Sequence, residues 1–561
     1  MTWTADGPQG NEASKIKYLI VPYTRGSGLD IGCGPFKAYP HFIGVDNHDH
    51  VARFGWPAQG VDVVADCRQM RMFADGGLDF VFSSHTLEHI EDHKAALAEW
   101  WRVIRVGGHL VLYLPHRDLY PNIGQPGGNP DHKHDFHHDD IVEAMRAVAA
   151  LRGQGWTLVE NETRDKGHEY SFFQAFRKEA TPDCKERLYE RNPGGKQRCL
   201  LIRYGAYGDQ VIAASVVPEL KKQGWHVTYQ TAPPADEVLI ADPHIDEIAV
   251  QDKDQVPNQE LGPYWKALEE RYDRIINLSE SVEGTLLAMP GRIQHQWPDG
   301  VRRQLCNVNY LERTHDIAEV PHVFHQRFYP TAEEREWAAG IKEVVARSPE
   351  HGHVPVVVWA LAGSSLHKAW PWVDVVLSWL MKNSPVNVLL MGGKDCTILE
   401  EGALCGVLEA HGVPKDDIKS AIEANGLRGL VDLHRATFGH DRVVCTSGNW
   451  SIRQSLAFSQ VADLVVGPET GVLNAVAFEP MPKVVMLSHS SIENLTKHWI
   501  NTQALTAPVP CYPCHRMHYT RDFCPQDEQT HAAACAAALT PVQVFHAIVE
   551  GLGLKRTKKA A

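Results

Sequence analysis

No stretch of this chain approaches the ~20 consecutive apolar residues needed to cross a membrane, so a spanning segment is not expected. The opening residues, Met1 to Ser14, are polar and lack the apolar core of a secretory signal. Basic charge is scarce: 55 Lys and Arg against 69 Asp and Glu leave a net charge of −14. That argues against nucleic-acid binding and against a broad face on anionic membrane. The one basic run, Lys555-Arg-Thr-Lys-Lys559, reads as a solvated end. Internal repeats and long low-complexity tracts are missing. The 12 cysteines are mostly scattered, as reduced thiols are. These absences predict a cytoplasmic protein with at most peripheral membrane contact. What remains is ordinary globular composition, 43% hydrophobic and 22% charged, over 561 residues. That length is too great for one domain.

The organising stretch is Gly28-Leu-Asp-Ile-Gly-Cys-Gly-Pro35, a strand end running into a tight glycine turn. Gly32 and Gly34 let the backbone pass close to a ligand. A dinucleotide fingerprint wants a third glycine three residues after Gly34, which the run Pro35-Phe36-Lys37 lacks, and an acidic residue about 20 positions on. Here the acidic strand end, Asp46 in Ile43-Gly-Val-Asp46, arrives early. Downstream come Val63-Val-Ala-Asp66-Cys67, then Leu78-Asp-Phe-Val-Phe-Ser-Ser84-His85-Thr-Leu-Glu88-His89. A helix pattern ending at Gly107-Gly108 and the strand His109 to Pro115 follow. This strand–helix alternation predicts a parallel sheet.

From Gly28 to Pro115 the sequence resembles a class I S-adenosylmethionine (SAM)-dependent methyltransferase of the small-molecule type 11 kind. The resemblance implies that Asp30, Gly32 and Gly34 lie against the methionine part of SAM. It implies that Asp46 binds the ribose diol, that Asp66 and Cys67 border the adenine, and that Ser84 lines the cofactor site. His85 is an acid/base candidate facing the same region.

After Pro115 a turn-rich loop, Tyr120 to Pro130, leads into Asp131-His-Lys-His-Asp-Phe-His-His-Asp-Asp140. Three readings are open for this cluster: a divalent metal site, an acceptor pocket, or capping of a helix that starts near Ile141. Strands near Trp156 and Glu169 close the sheet. The domain is expected to span residues 1–177, with a loose leader to about residue 15. Residues 178–197, polar and ending in Pro-Gly-Gly, form the expected linker.

A fresh start follows: Arg198-Cys-Leu-Leu-Ile-Arg203-Tyr-Gly205-Ala-Tyr-Gly208-Asp209. A buried strand enters a glycine loop and then a helix. Later, Val354 to Trp359 leads into the loop Ala362-Gly-Ser364-Ser365-Leu-His-Lys368-Ala-Trp370-Pro371. Ala462 to Gly467 leads into Pro-Glu469-Thr470-Gly471-Val-Leu-Asn474. Two consecutive Rossmann-like units predict a GT-B glycosyltransferase, with an acceptor lobe at 198–330 and a donor lobe at 331–561. The motifs are similar to those of glycosyltransferase family 9, the ADP-heptose:lipopolysaccharide heptosyltransferases. This chain departs from the family's Asp at Glu469 and from its His at Asn474, which leaves the sugar open.

Inverting glycosyl transfer needs a base on the acceptor hydroxyl and a hold on the departing diphosphate. Asp209 matches the family's proposed base, with helix N-capping as the competing role. Ser364, Ser365 and Lys368 match its donor loop. Glu469, Thr470, Gly471 and Asn474 match the start of its donor-side helix, whose amides can receive phosphate oxygens. The resemblance implies no catalytic metal. Near the C-terminus, Cys511 and Cys514, with Cys524 and Cys535, are weak zinc candidates. The Cys-Tyr-Pro-Cys-His pattern of haem attachment conflicts with the missing export signal. The last helix, from Pro541, is expected to pack back across the two lobes.

Together these features predict an α/β chain with a Rossmann-like methyltransferase followed by a two-lobed GT-B region. The expected function is bifunctional. A heptose-like sugar from a nucleoside diphosphate donor, ADP-linked by preference, and a methyl group from SAM would go to a glycan or lipid-linked saccharide acceptor. Two alternatives stand: glycosyl transfer alone with a non-catalytic N-terminal module, permitted by Phe36, or methyl transfer alone with a sugar-nucleotide-binding scaffold, permitted by Glu469 and Asn474.

Overall fold

The computed structural model describes residues 11–47, 60–363, 368–518 and 524–554. The basic run 555–559, donor-loop residues Ser364 and Ser365, and the first ten residues of the leader lie outside them. The chain divides into two compact units. Unit 1 is Met1–Arg198 with Ala249–Arg274; unit 2 is Cys199–Ile248 with Ile275–Ala561. Among the described residues no helix is long and apolar enough to cross a membrane.

Unit 1 is built on β1 (Gly28–Ile31), β2 (Ile43–Asp46), β3 (Val63–Val64), β4 (Leu78–Ser84), β5 (Ile104–Pro115), β6 (Trp156–Arg164), β7 (Ser171–Lys178) and β8 (Cys184–Glu186). The sheet order is β3-β2-β1-β4-β5-β7-β6-β8. The first five strands run parallel, and β7 is antiparallel to both β5 and β6. Helices covering both faces explain why β1 and β4 read as continuous apolar runs. One covering helix, His93–Val103, buries Leu97, Trp100 and Trp101 completely.

Three features of unit 1 differ from the sequence reading. The leader is ordered at its end, where Ala13–Ile16 forms a short helix with Ile16 wholly buried. The polar stretch 178–197 supplies β8, which pairs in parallel with β6 and covers its edge. Residues 249–274 pack with the N-terminal unit through charge and backbone acceptors. Arg25 pairs with Asp252 at 2.8 Å, Lys17 with Glu260 at 2.6 Å, and the Gln255 amide donates to Val21 O and Thr24 O. Tyr189 lies under both the Arg198 and Arg271 guanidinium groups.

Unit 2 carries two principal sheets. The first contains β9 (Arg198–Ile202), β10 (His226–Thr231), β11 (Glu247–Val250) and β12 (Arg274–Asn277), in the order β11-β10-β9-β12. A small antiparallel ribbon, β13 (Arg347–Ser348) and β14 (Gly352–His353), precedes the second. That second sheet holds β15 (Val356–Ala360), β16 (Asn387–Met391), β17 (Val443–Cys445), β18 (Leu464–Pro468), β19 (Lys483–Leu487) and β20 (Thr502–Thr506). All six are parallel, in the order β17-β16-β15-β18-β19-β20. This is the doubly wound order, with its topological switch point between β15 and β18. The last helix, Pro541–Gly551, packs chiefly on β18, β19, β20 and the helix Val373–Asn383 of the second sheet, not across both lobes as expected. Its buried face (Val544, Ile548) matches that sheet's apolar surface. The chain is thus α/β, a Rossmann-like first region followed by two further open sheets.

Candidate functional site

In unit 1 the strand order reverses between β1 and β4, and the chain ends there meet. Gly32 has φ +70, and a Cβ on it would stand 2.0 Å from Thr86 Oγ1. Only glycine lets the turn after β1 pass this close to the turn after β4. Gly34 is also left-handed, at φ +52, and its N–H donates to Asp46 Oδ2 at 3.1 Å. That bond draws the end of β2 onto the glycine turn. Asp30 is buried, with Oδ2 accepting from Ala38 N at 2.7 Å. Burial pushes its carboxyl up to about 7. Ser84, at the end of β4, has a buried hydroxyl without a hydrogen-bond partner among the described residues. A glycine cradle, a strand-end carboxylate and an unpaired hydroxyl at one switch point fit the methionine and ribose parts of SAM.

The adenine side is less compact. Asp66 is exposed and engaged by Arg68, whose guanidinium approaches to 2.7 Å and whose N–H donates at 2.9 Å. Cys67 offers its carbonyl to Trp100 Nε1, and burial raises its thiol to about 11.

His85 has φ +49 and bonds through Nε2 to Ser171 Oγ at 2.8 Å. Burial lowers its ring to about 3, so it is neutral. The helix expected near Ile141 begins at His138, after a capping box in which Asp140 accepts from His137 N. His134 of the same cluster is taken up by Ile90 O and Glu91 O. His132 is buried and faces Glu88. Glu88, which sequence reasoning passed over, is wholly buried, and among the described residues no other residue donates to either of its oxygens. Its only sequence signal is its place in a His-rich turn after β4.

In unit 2, β9 ends at Ile202, and the next residue, Arg203, has an almost fully buried side chain that grips Glu283 with two 2.8 Å bonds. Arg203 also stands 3.2 Å from Asp209 Oδ1. Asp209 Oδ2 accepts from Ala206 N at 2.8 Å and so caps the helix Tyr207–Ala214. The structure thus gives Asp209 a capping contact and an ion pair. Gly208 lies against the second lobe's motif: a Cβ there would meet Asn474 Nδ2 at 2.9 Å and Gly471 Cα at 3.3 Å. Asp209 and the Gly471–Asn474 segment are therefore brought together.

Lys368 and Glu469 meet beyond β15 and β18. Lys368 Nζ donates to Glu469 O at 3.1 Å and lies 3.9 Å from Oε2. Glu469 accepts from Ser488 N, Ser490 N and His489 Nδ1 at 2.8, 3.0 and 2.9 Å. Burial alone would raise this carboxyl. The His489 interaction, then Lys368 and the Ser488 amide, outweigh burial and hold it well below the usual range. The segment from Thr470 starts a helix of 5 residues whose first turn is capped by Thr470 itself. Asn474 spends its amide on Thr470 O and its oxygen on Gln326. Glu283 and His489 are partners that sequence reasoning missed, and Arg203, visible in the motif, has no role in that reading. Of the cysteines, Cys524 and Cys535 share a hydrogen bond. Cys511, Cys514, Cys524 and Cys535 are absent from the metal-type clusters formed among the described residues.

Residues 27–112 match the family model described as a methyltransferase domain. The demethylmenaquinone methyltransferase of Roseiflexus sp. is 27% identical over 159 residues, covering 26% of this chain and 63% of that protein. This chain therefore spans less than two thirds of that relative. Among solved structures, the glycosyl transferase family 9 protein of Veillonella parvula covers 64% of this chain and 97% of its own at 12% identity, with a TM-score of 0.43. The ADP-heptose LPS heptosyltransferase II of E. coli covers 64% and 98% at 13% identity, with a TM-score of 0.40. From β1 into β5, over residues 27–112, this chain is similar to a methyltransferase domain.

Proposed function

We propose that this chain joins two transferases acting on saccharide acceptors. Unit 1 methylates an acceptor oxygen at the expense of SAM. Unit 2 transfers a sugar from a nucleoside diphosphate donor, ADP-linked by preference, with inversion. The observation that carries this reading is the placement of the motif residues. The glycine turn, Asp46 and Ser84 gather at the unit 1 switch point, while Lys368 and Glu469 gather at that of the second sheet in unit 2. Ligands of open α/β sheets bind at such points.

SAM, when bound, supplies a methyl group on a positively charged sulfur. Around it Asp46 accepts hydrogen bonds from the ribose diol, the Gly32–Gly34 turn admits the methionine backbone, and Ser84 supplies a free hydroxyl. In unit 2, Asp209 takes the proton of the acceptor hydroxyl, and Arg203 with Glu283 fixes the direction of its carboxylate. Lys368 meets the departing diphosphate as a point charge. Cytoplasmic saccharide modification is the setting these activities share.

A second reading has its own observation. Asn474 and Glu469 spend their side chains on internal bonds, which favours unit 2 as a binding scaffold and methyl transfer as the chain's one reaction. Calorimetric titration of the full chain with SAM, and separately with nucleoside diphosphates, separates these readings. Binding of SAM and of one nucleotide, with product formation lost in Asp209→Asn, supports the two-transferase reading. Unchanged activity in Asp209→Asn supports the scaffold. Nucleotide binding without SAM binding overturns the methyl-transfer half.

A further inference from the structure

Directly after β4, Glu88 is enclosed by imidazoles. Its Oε1 lies 3.9 Å from His85 Nδ1, 3.9 Å from His89 Nε2 and 4.0 Å from His132 Nε2. The carboxylate is 0% exposed, and among the described residues no other residue donates a hydrogen bond to either oxygen. A buried carboxylate without donors costs several kcal/mol in effective terms, and proteins satisfy such groups or use them. The spacing is too long for hydrogen bonds. It leaves a gap between a carboxylate and nitrogen lone pairs, with the ligand atoms of Glu88, His89 and His132 all within 4.8 Å of one another.

We propose that Glu88, His89 and His132 bind a divalent first-row transition ion, with Zn2+ and Fe2+ as the chemical class. Two imidazoles and one carboxylate select such ions over Mg2+ and Ca2+, which prefer oxygen shells. Bonds of ~2.0–2.2 Å require the three side chains to draw slightly together. The surroundings favour this. His89 leans on the Asp131 backbone, the kind of outer contact that orients a ligating ring. His132 packs edge-on against His89 with ring centres 4.8 Å apart. The Glu88 carbonyl accepts from Lys133 N at 2.7 Å, which ties the two ligand segments together. The His89 side chain is 36% exposed, leaving a way in for the ion. His85, anchored to Ser171, closes the fourth side. The second imidazole cluster, His116, His137 and His138, is weaker: His116 Nδ1 accepts from Asp118 N, and His138 Nε2 bonds Thr163.

The ion would sit beside the turn after β4, on the side of the unit 1 switch point. There it can hold an acceptor hydroxyl and lower its pKa. That role rests on the methyl-transfer reading; the binding itself does not.

The test uses the full chain stripped with chelator and titrated with Zn2+ by calorimetry, then with Co2+ as a spectroscopic probe. One Zn2+ per chain is expected at this site, with a visible Co2+ band of low-symmetry nitrogen–oxygen ligation. Glu88→Gln and His132→Ala should each weaken Zn2+ at least tenfold, while His137→Ala leaves it unchanged. Glu88→Gln is isosteric and removes an unpaired carboxylate, so the metal-free variant should melt no lower than the parent and lose the Zn2+-induced rise in melting temperature. Absence of stoichiometric binding, or equal binding in Glu88→Gln, overturns the proposal. Zn2+ binding without SAM binding upholds the metal site and overturns the methyl-transfer reading alone.

Discussion

The parallel strands of two sheets in this chain share the order third-second-first-fourth-fifth, and both sheets hold buried carboxyl groups at or just beyond their switch points. Their charge states are opposite. In unit 1, burial outweighs the pull of Lys37 on Asp30 and raises Asp30 and Glu88 to about 7 and about 8. In unit 2, Glu469 is equally buried yet held far below the ordinary carboxylate range. His489, Lys368 and two backbone amides converge on it. Burial sets the cost, and partners decide whether it is met. At the first site burial without a strong cationic partner favours the protonated carboxyls. The second is a closed, charge-balanced cluster that fixes the loop after β18.

The largest test of this contrast is charge removal. Glu469→Gln leaves Lys368 buried without its carboxylate. It should cost unit 2 about 3 kcal/mol or more, read as an earlier denaturant transition and faster hydrogen exchange over residues 483–491. Glu88→Gln in metal-free chain should cost unit 1 nothing measurable. Equal losses at the two positions would erase the distinction.

A second contrast lies in the glycines. Gly32→Ala puts a Cβ 2.0 Å from Thr86 Oγ1 at φ +70. Left-handed strain of ~1–2 kcal/mol adds to overpacking of ~1–3 kcal/mol. SAM affinity should fall at least tenfold by calorimetry. Gly471→Ala meets Gly208 N and Tyr207 Cβ at 3.3 Å without a positive φ, and should cost less than half as much.

The sequence made the apolar strands visible, and with them both switch points: β1, β4, β15, β16, β18 and β19 are runs that have no stable place except inside a covered sheet. It hid β8, β11 and β20. Cys184–Glu186, Glu247–Val250 and Thr502–Thr506 are short, and pairing with a neighbouring backbone, not apolar content, makes them strands. The glycine turn, Asp46, Lys368 and Glu469 were legible because motif spacing marks loops at strand ends. Glu88 and His132 were not joined in advance, since β5 and a long loop separate them and only the fold sets them 4.0 Å apart. Arg203 carried a visible motif, but its grip on Glu283 depends on the chain returning after β12.

Asp30 supplies a pH test of smaller size. Its carboxyl titrates near 3.8 when unfolded and about 7 when folded. Between those values the native chain keeps a proton that the unfolded chain has released. Stability of unit 1 therefore falls as pH rises through this window, by at most ~1.4 kcal/mol per pH unit. Asp30→Asn cannot titrate and keeps an oxygen for Ala38 N. Its melting temperature should fall less than the parent's between pH 4 and pH 7, with parallel curves above. Parallel curves throughout would mean that burial does not perturb Asp30.

The smallest effect distinguishes two acidic strand ends of the same sheet. Asp66 is solvated and paired with its neighbour Arg68, an arrangement worth ~0–1 kcal/mol. Asp66→Asn should change the melting temperature of unit 1 by no more than about a degree. Its consequence for SAM depends on which way that carboxylate turns when the adenine arrives. If Arg68 keeps it, affinity in Asp66→Asn stays within about twofold of the parent. Asp46→Asn, by contrast, keeps one oxygen for the Gly34 amide but loses the charge and the second acceptor oxygen that a diol needs, and should weaken SAM about tenfold, one charged hydrogen bond's worth. A larger loss at Asp66 than at Asp46 would mean that the ion pair opens on binding, and that the adenine side of the site is assembled by the ligand.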